Sequence, residues 1–175
     1  ALVSLSKFCE PRIEPEIVIG LHKTPPRQPS LKISLRALAG LLLALKLLTP
    51  FTQIGAFHWA TLSLLLGYME NLVIGQKITP PKNLIERLKE LGVILFLNSQ
   101  IYERGQGSSV LEGPIYALQY LQHGIEQYET EADLKSGHIV TTGTLTDAKP
   151  ISAGQIWSAR FQGLEIMPLE VKFIK

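Results

Sequence analysis

Residues 134–173 read LKSGHIVTTGTLTDAKPISAGQIWSARFQGLEIMPLEVKF, and their alternation decides the fold class. Three β-segments are separated by turn chemistry. In His138–Thr146, Ile139, Thr141, Gly143 and Leu145 fall on one face, and Val140, Thr142, Thr144 and Thr146 on the other, following the two-residue period of an extended chain. The β-branched residues suit a pleated surface. Gly143 interrupts the strand, and such a glycine marks a bulge or a close approach by a ligand or another backbone. Asp147–Pro150 and Ala153-Gly154 carry turn signals. Gln155–Phe161 and Glu165–Phe173 alternate again. Pro168 lies inside the last segment without an N–H for the ladder, which places it at an edge or a bulge.

Working outward, Pro114–Tyr128 repeats Ile115, Leu118, Leu121, Ile125 and Tyr128 at helical spacing, with Pro114 in the first turn. Arg104–Gly113, RGQGSSVLEG, reads as a flexible loop; it lacks the Gly-Lys-Ser/Thr ending of a phosphate loop. Gly92–Asn98, GVILFLN, is a continuous apolar run of strand length and predicts a central strand. Lys82–Glu90 predicts a short amphipathic helix. Leu31–Leu48 is apolar almost all round and predicts a buried helix, ended by Pro50. Its core, Leu35–Leu48, falls short of the ~20 residues of a membrane span, and Arg36 and Lys46 bracket it. His22–Ser30 is a Pro-rich loop.

Ile13–Gly20, IEPEIVIG, predicts a strand with Glu14 and Glu16 on one side and Ile13, Ile17 and Ile19 on the other. Two like charges on one face cost free energy unless something cationic lies between them. A solvated strand face is the plainer alternative.

The 175 residues are 46% hydrophobic and 18% charged, with a net charge of +2. That suits one domain, 1–175, with a substantial core. Scattered Lys and Arg, without a basic block or stacking aromatics, argue against a nucleic-acid partner. No signal peptide and no membrane segment is read, and Cys9 is the sole cysteine, so the expected setting is cytoplasmic. His22, His58, His123 and His138 form no pair at ligand spacing; His58 beside Trp59 is the one to watch. No nucleophile elbow supports serine hydrolase chemistry.

The run Leu134-x-x-Gly137-x-Ile139-Val140-x-x-Gly143-Thr-Leu-Thr146, then Pro150-Ile-x-x-Gly154-Gln155 and Ala159-x-Phe161-x-Gly163-Leu164 resembles the closing segment of the fumarylacetoacetate hydrolase superfamily. It looks most like the branch of 2-oxopent-4-enoate hydratases and 4-oxalocrotonate decarboxylases. Glu14-Pro15-Glu16 before apolar residues, and Gly113-Pro114 before Ala-Leu-x-x-Leu, match the same branch. The resemblance implies an α+β fold, a mixed β-roll with helices packed outside. It implies a divalent cation, Mg²⁺ or Mn²⁺, on three acids, and a small 2-oxo acid as substrate. Carried over by position, Glu14 and Glu16 are metal ligands and Gln53, in Pro50-x-x-Gln53, stands at the third ligand position, where the family has an acid. Glu70 and Asn71, before Leu-Val-Ile-Gly75, and Thr142 and Thr144 are the substrate contacts.

The implied activity is that of a divalent-metal-dependent hydratase or decarboxylase, acting on a substrate such as 2-hydroxypenta-2,4-dienoate. The alternatives are a non-catalytic relative serving binding or assembly, and an acylpyruvate-type C–C bond hydrolase. The resemblance also implies an upstream segment with a catalytic lysine, which is expected to be missing here, and a homo-oligomer. Leu35–Leu48 and Ala56–Leu66 are the apolar runs that would suit the subunit interface.

Overall fold

The computed structural model describes residues 1–25, 35–48, 69–127 and 133–175. Ten strands and two helices follow one another there. They are β1 Leu2–Ser4, β2 Arg12–Leu21, β3 Leu38–Leu48, β4 Met69–Ile78, α1 Leu84–Lys89, β5 Gly92–Leu97, β6 Gln100–Gln106, α2 Pro114–Gln127, β7 Ile139–Thr144, β8 Lys149–Pro150, β9 Ile156–Gln162 and β10 Leu169–Ile174. One sheet runs β1-β10-β9-β5-β6. The other runs β4-β3-β2-β7, with β8 also paired to β2. β1 is parallel to β10 and the other pairs are antiparallel, so the architecture is the mixed, sheet-rich α+β fold expected.

Residue parity builds the core. On β2, Ile13, Ile17 and Ile19 are fully buried, and on β3 so are Leu41, Leu43, Leu45 and Leu47. Across from them lie Val93 and Leu95 of β5, Trp157 and Ala159 of β9, and Val171 and Phe173 of β10, all in one cluster. The inner faces of the two sheets thus meet, as in face-to-face sheet packing. α2 packs on β7, and α1 on α2.

Leu38–Leu48 is a strand, not the expected helix. A strand covered on both faces reads as an unbroken apolar run, the same signal as a buried helix. Ten cross-strand pairs with β2 settle the matter, from Arg12↔Leu48 to Leu21↔Leu38. The alternate leucines of this run, Leu41, Leu43, Leu45 and Leu47, are spent on the domain's own core. Ala56–Leu66, His58 and Trp59 lie outside the described residues.

Gly92–Leu97 is a central strand, flanked by β6 and β9, as expected. The flexible loop read at 104–113 is largely structured instead. Arg104–Gln106 ends β6, and Gly107–Ser109 forms a 3-10 turn. A Cβ on Gly105 would fall 1.9 Å from the Leu145 carbonyl oxygen, so glycine here permits close backbone approach rather than mobility. On α2 the buried stripe is Ile115, Leu118 and Gln122, while Leu121 is exposed. Pro168 precedes β10 and is not within it.

Candidate functional site: an acid pair with its own cation

Parity puts Glu14 and Glu16 on the face of β2 opposite its buried isoleucines. Both are nonetheless buried, Glu16 completely. The interior of β2 contains Pro15, which is tolerated because its missing N–H falls at a gap in the neighbouring ladder. β8 pairs with Arg12 and Ile13, and β7 starts pairing at Glu16. The Pro15 carbonyl still accepts the Leu145 N–H at 3.0 Å.

At that gap β7 bulges. Glu16 pairs with Thr144 and Val18 with Thr141, so Thr142 and Gly143 oppose Ile17 alone. Gly143 has φ +111°, a conformation that glycine adopts without strain. The bulge aims its N–H at Glu16, whose Oε2 accepts it at 3.2 Å. The glycine signal read in the sequence therefore marks both a bulge and a close contact.

The third partner comes from β3. Lys46 pairs directly with Glu14 across the strands, so the two share a face, with Glu16 diagonal to them. Its Nζ lies 2.7 Å from Glu14 Oε2 and also contacts Glu16 Oε1. That Glu16 oxygen is buried and has no hydrogen-bond partner among the described residues besides this ion pair. Burial alone would lower the Lys46 pKa, but Glu16 and Glu14 outweigh it and raise the ammonium above its ordinary value. Burial pushes the Glu16 carboxyl up, and Lys46 pulls it back only in part.

The other sequence-derived candidates are placed less favourably. Thr142 Oγ1 donates to the Ile17 carbonyl at 2.8 Å, and Thr144 Oγ1 to the Thr146 carbonyl at 2.6 Å. Both hydroxyl protons thus serve the bulge and the turn after it. Asn71 pairs with Leu47, which puts it on the core-side parity of β3 and β4, away from the acids. Its Oδ1 accepts the Leu72 N–H at 3.1 Å. Glu70 is the second residue of β4; its side chain, like Gln53 and Pro50, lies outside the described residues. Lys46 is the site residue that sequence reasoning missed. The signal was present, since an acid pair on one strand calls for a cation nearby.

The donors fit a hard divalent cation in kind: carboxylate oxygens, one of them buried and poorly partnered. A tethered ammonium already stands in the cation's place. Among the described residues no three of His, Cys, Asp and Glu gather closely enough to hold a metal. Two carboxylates and one ammonium leave this cluster with a formal charge of −1.

The fold is of the fumarylacetoacetase-like type. No family model matches the chain, but solved structures do. The fold is shared with 4-oxalocrotonate decarboxylase from Pseudomonas putida G7, complexed with magnesium and adipate. The TM-score is 0.83 over 99% of this chain and 64% of that one, at 23% identity. It is shared too with fumarylpyruvate hydrolase from Pseudomonas aeruginosa in complex with Mn²⁺ and pyruvate, at TM-score 0.70, 15% identity, and 99% and 74% coverage. In sequence, the chain is 31% identical over 77 residues to 4-oxalocrotonate decarboxylase of Pseudomonas sp. (strain CF600), covering 44% of this chain and 28% of that protein. The chain thus spans under two thirds of the decarboxylases it matches. The resemblance read in the sequence is borne out at the level of fold. Among the described residues no helix is long and apolar enough to cross a membrane.

Proposed function

We propose that this chain is a divalent-metal-dependent lyase of the fumarylacetoacetate hydrolase class, a hydratase or decarboxylase for a small 2-oxo acid such as 2-hydroxypenta-2,4-dienoate. The observation that carries the reading is the convergence of Glu14 and Glu16 on one cation position, in a fold shared with magnesium- and Mn²⁺-complexed enzymes of 2-oxo acids. Glu14 and Glu16 would hold Mg²⁺ or Mn²⁺, with Gln53 at the third position. When bound, such an ion polarises the substrate's oxygens and steadies the negative charge that develops on them.

The chain's own residues supply the rest. The Gly143 N–H fixes the rotamer of Glu16, and the Thr142 hydroxyl locks the bulge that aims this N–H. Such support holds a reacting constellation in place. Homo-oligomerisation, a cytoplasmic setting and the absence of nucleic-acid or membrane partners belong to the same proposal.

A second reading, a non-catalytic relative serving binding or assembly, is favoured by Lys46, whose ammonium pairs with both acids without a metal. An acylpyruvate-type C–C bond hydrolase shares the acid pair and differs in substrate. The test is turnover of hydratase, decarboxylase and acylpyruvate substrates with Mn²⁺ and with chelator, alongside Glu14→Ala/Glu16→Ala and Gln53→Glu. Metal-stimulated turnover lost in the double variant and raised by Gln53→Glu is expected. A folded protein inert toward all three substrate types at any Mn²⁺ level leaves the non-catalytic reading standing.

A further inference from the structure

We propose that Lys46 is a built-in competitor for the cation position between Glu14 and Glu16, so that a divalent ion enters only by displacing its ammonium. The inference rests on reading the acid pair as a cation seat. Three observations carry it. The register sets Lys46 directly opposite Glu14, so its arm crosses the mouth of the pair. Its ammonium touches both carboxylates. And Glu16 Oε1 has no hydrogen-bond partner among the described residues other than that contact, so this oxygen must be served by a cation.

The ammonium and a dication cannot share the seat. Both would approach the same two oxygens, and their repulsion in a buried site is poorly screened. The four-carbon stem of lysine is flexible, however, and the Lys46 side chain keeps 16% of its surface exposed. It has a way out, which makes this a competition rather than a permanent block. The consequence is weak metal binding in the native chain, set by the strength of the internal ion pairs. Removing the ammonium frees both carboxylates. A carboxylate at position 46, on the same face as Glu14, adds a third acid to the cluster.

Calorimetric titration of Mn²⁺ into the full chain tests this, comparing wild type, Lys46→Gln, Lys46→Met and Lys46→Glu, with Glu14→Gln/Glu16→Gln/Lys46→Met as control. Lys46→Gln can still donate hydrogen bonds to both acids, which keeps a neutral variant available if Lys46→Met does not fold. Lys46→Gln is expected to bind Mn²⁺ at least tenfold more tightly than wild type, Lys46→Glu more tightly still, and the control not at all. Mn²⁺ should raise the melting temperature of Lys46→Gln more than that of wild type. Wild type binding as tightly as Lys46→Gln overturns the competition while leaving the metal-dependent reading intact. Binding gained by the variants but undetectable in wild type upholds the competition and turns against metal-dependent activity in the native chain. No binding in any chain means that the pair is no cation seat, and overturns both.

Discussion

Lys46→Met in the absence of metal should be among the most damaging single changes outside the leucine core. It leaves fully buried Glu16 and nearly buried Glu14 facing each other with no cation. At the 2.7 Å separation of Lys46 and Glu14, the Coulomb attraction at an effective dielectric of ~20 is about 6 kcal/mol before desolvation is subtracted. Removing one partner of a buried pair costs about 3–5 kcal/mol net, because the charge left behind is unpaired. With a urea slope of ~2 kcal/mol/M, that loss moves the unfolding midpoint down by about 1.5–2.5 M at unchanged slope. Adding Glu16→Gln removes the stranded charge, so Lys46→Met/Glu16→Gln should recover about 1–2 kcal/mol relative to Lys46→Met alone. Urea unfolding followed by circular dichroism, with chelator present, reads both effects. A Lys46→Met midpoint within ~0.5 M of wild type, or no recovery in the double variant, would refute the triad as a buried electrostatic unit.

Further expectations concern the strands that hold this triad. Leu43 is fully buried and Leu42 is not, so Leu43→Ala should cost about 2–5 kcal/mol and Leu42→Ala under ~1.5; equal losses in urea melts would contradict the strand parity of β3. Gly143→Ala forces a side chain into φ +111° and sets its Cβ 3.2 Å from Val110 Cγ1. It should cost about 1–3 kcal/mol, and a melting temperature equal to wild type would refute the strained bulge. Lys149 contacts Glu103 at 3.0 Å and Asp147 at 3.4 Å. Slight burial would lower its pKa, but these partners outweigh it and raise the pKa above 10.5. Its stabilising contribution is therefore complete below that value and fades as pH rises through the raised one. The stability gap between wild type and Lys149→Met should narrow only at strongly alkaline pH; a gap that instead closes on mild acidification contradicts the assignment.

Much of this fold is legible where a strand or helix has one wet face. β7 and β9 alternate plainly, and α2 shows its period from Ile115 to Leu118. Gly143 announces its bulge because a glycine amid β-branched residues has little other use there. Two kinds of position were not legible. Exposed Leu121 and buried Gln122 trade the places that apolarity assigns them, since neighbours rather than residue type decide which helical flank is covered. Gly105 and Gly107 look like a flexible loop in sequence, yet they are the places where the chain passes tightly against the backbone of Leu145 and Leu88.

The misreading of β3 and the missing of Lys46 have one cause. Leucine and alanine favour helices in isolation, and nothing in Leu38–Leu48 supplies the polar alternation of a half-exposed strand. On a helix, Lys46 is a charge near the end of an apolar cylinder, free to reach solvent. On a strand it is bound by parity to the side of Ala44 and away from Leu45 and Leu47, and register with β2 then leaves it facing Glu14. The acid pair demands a cation, and the strand assignment alone determines that the chain provides one. Fold and electrostatics are therefore one question in this domain. The pairing that buries four alternate leucines on the inner face also carries Lys46 to the acids on the outer one. A one-residue slip of β3 would turn both sets to the wrong sides at once, exposing the leucines and stranding two carboxylates without their ammonium. The register is held from both faces of the sheet.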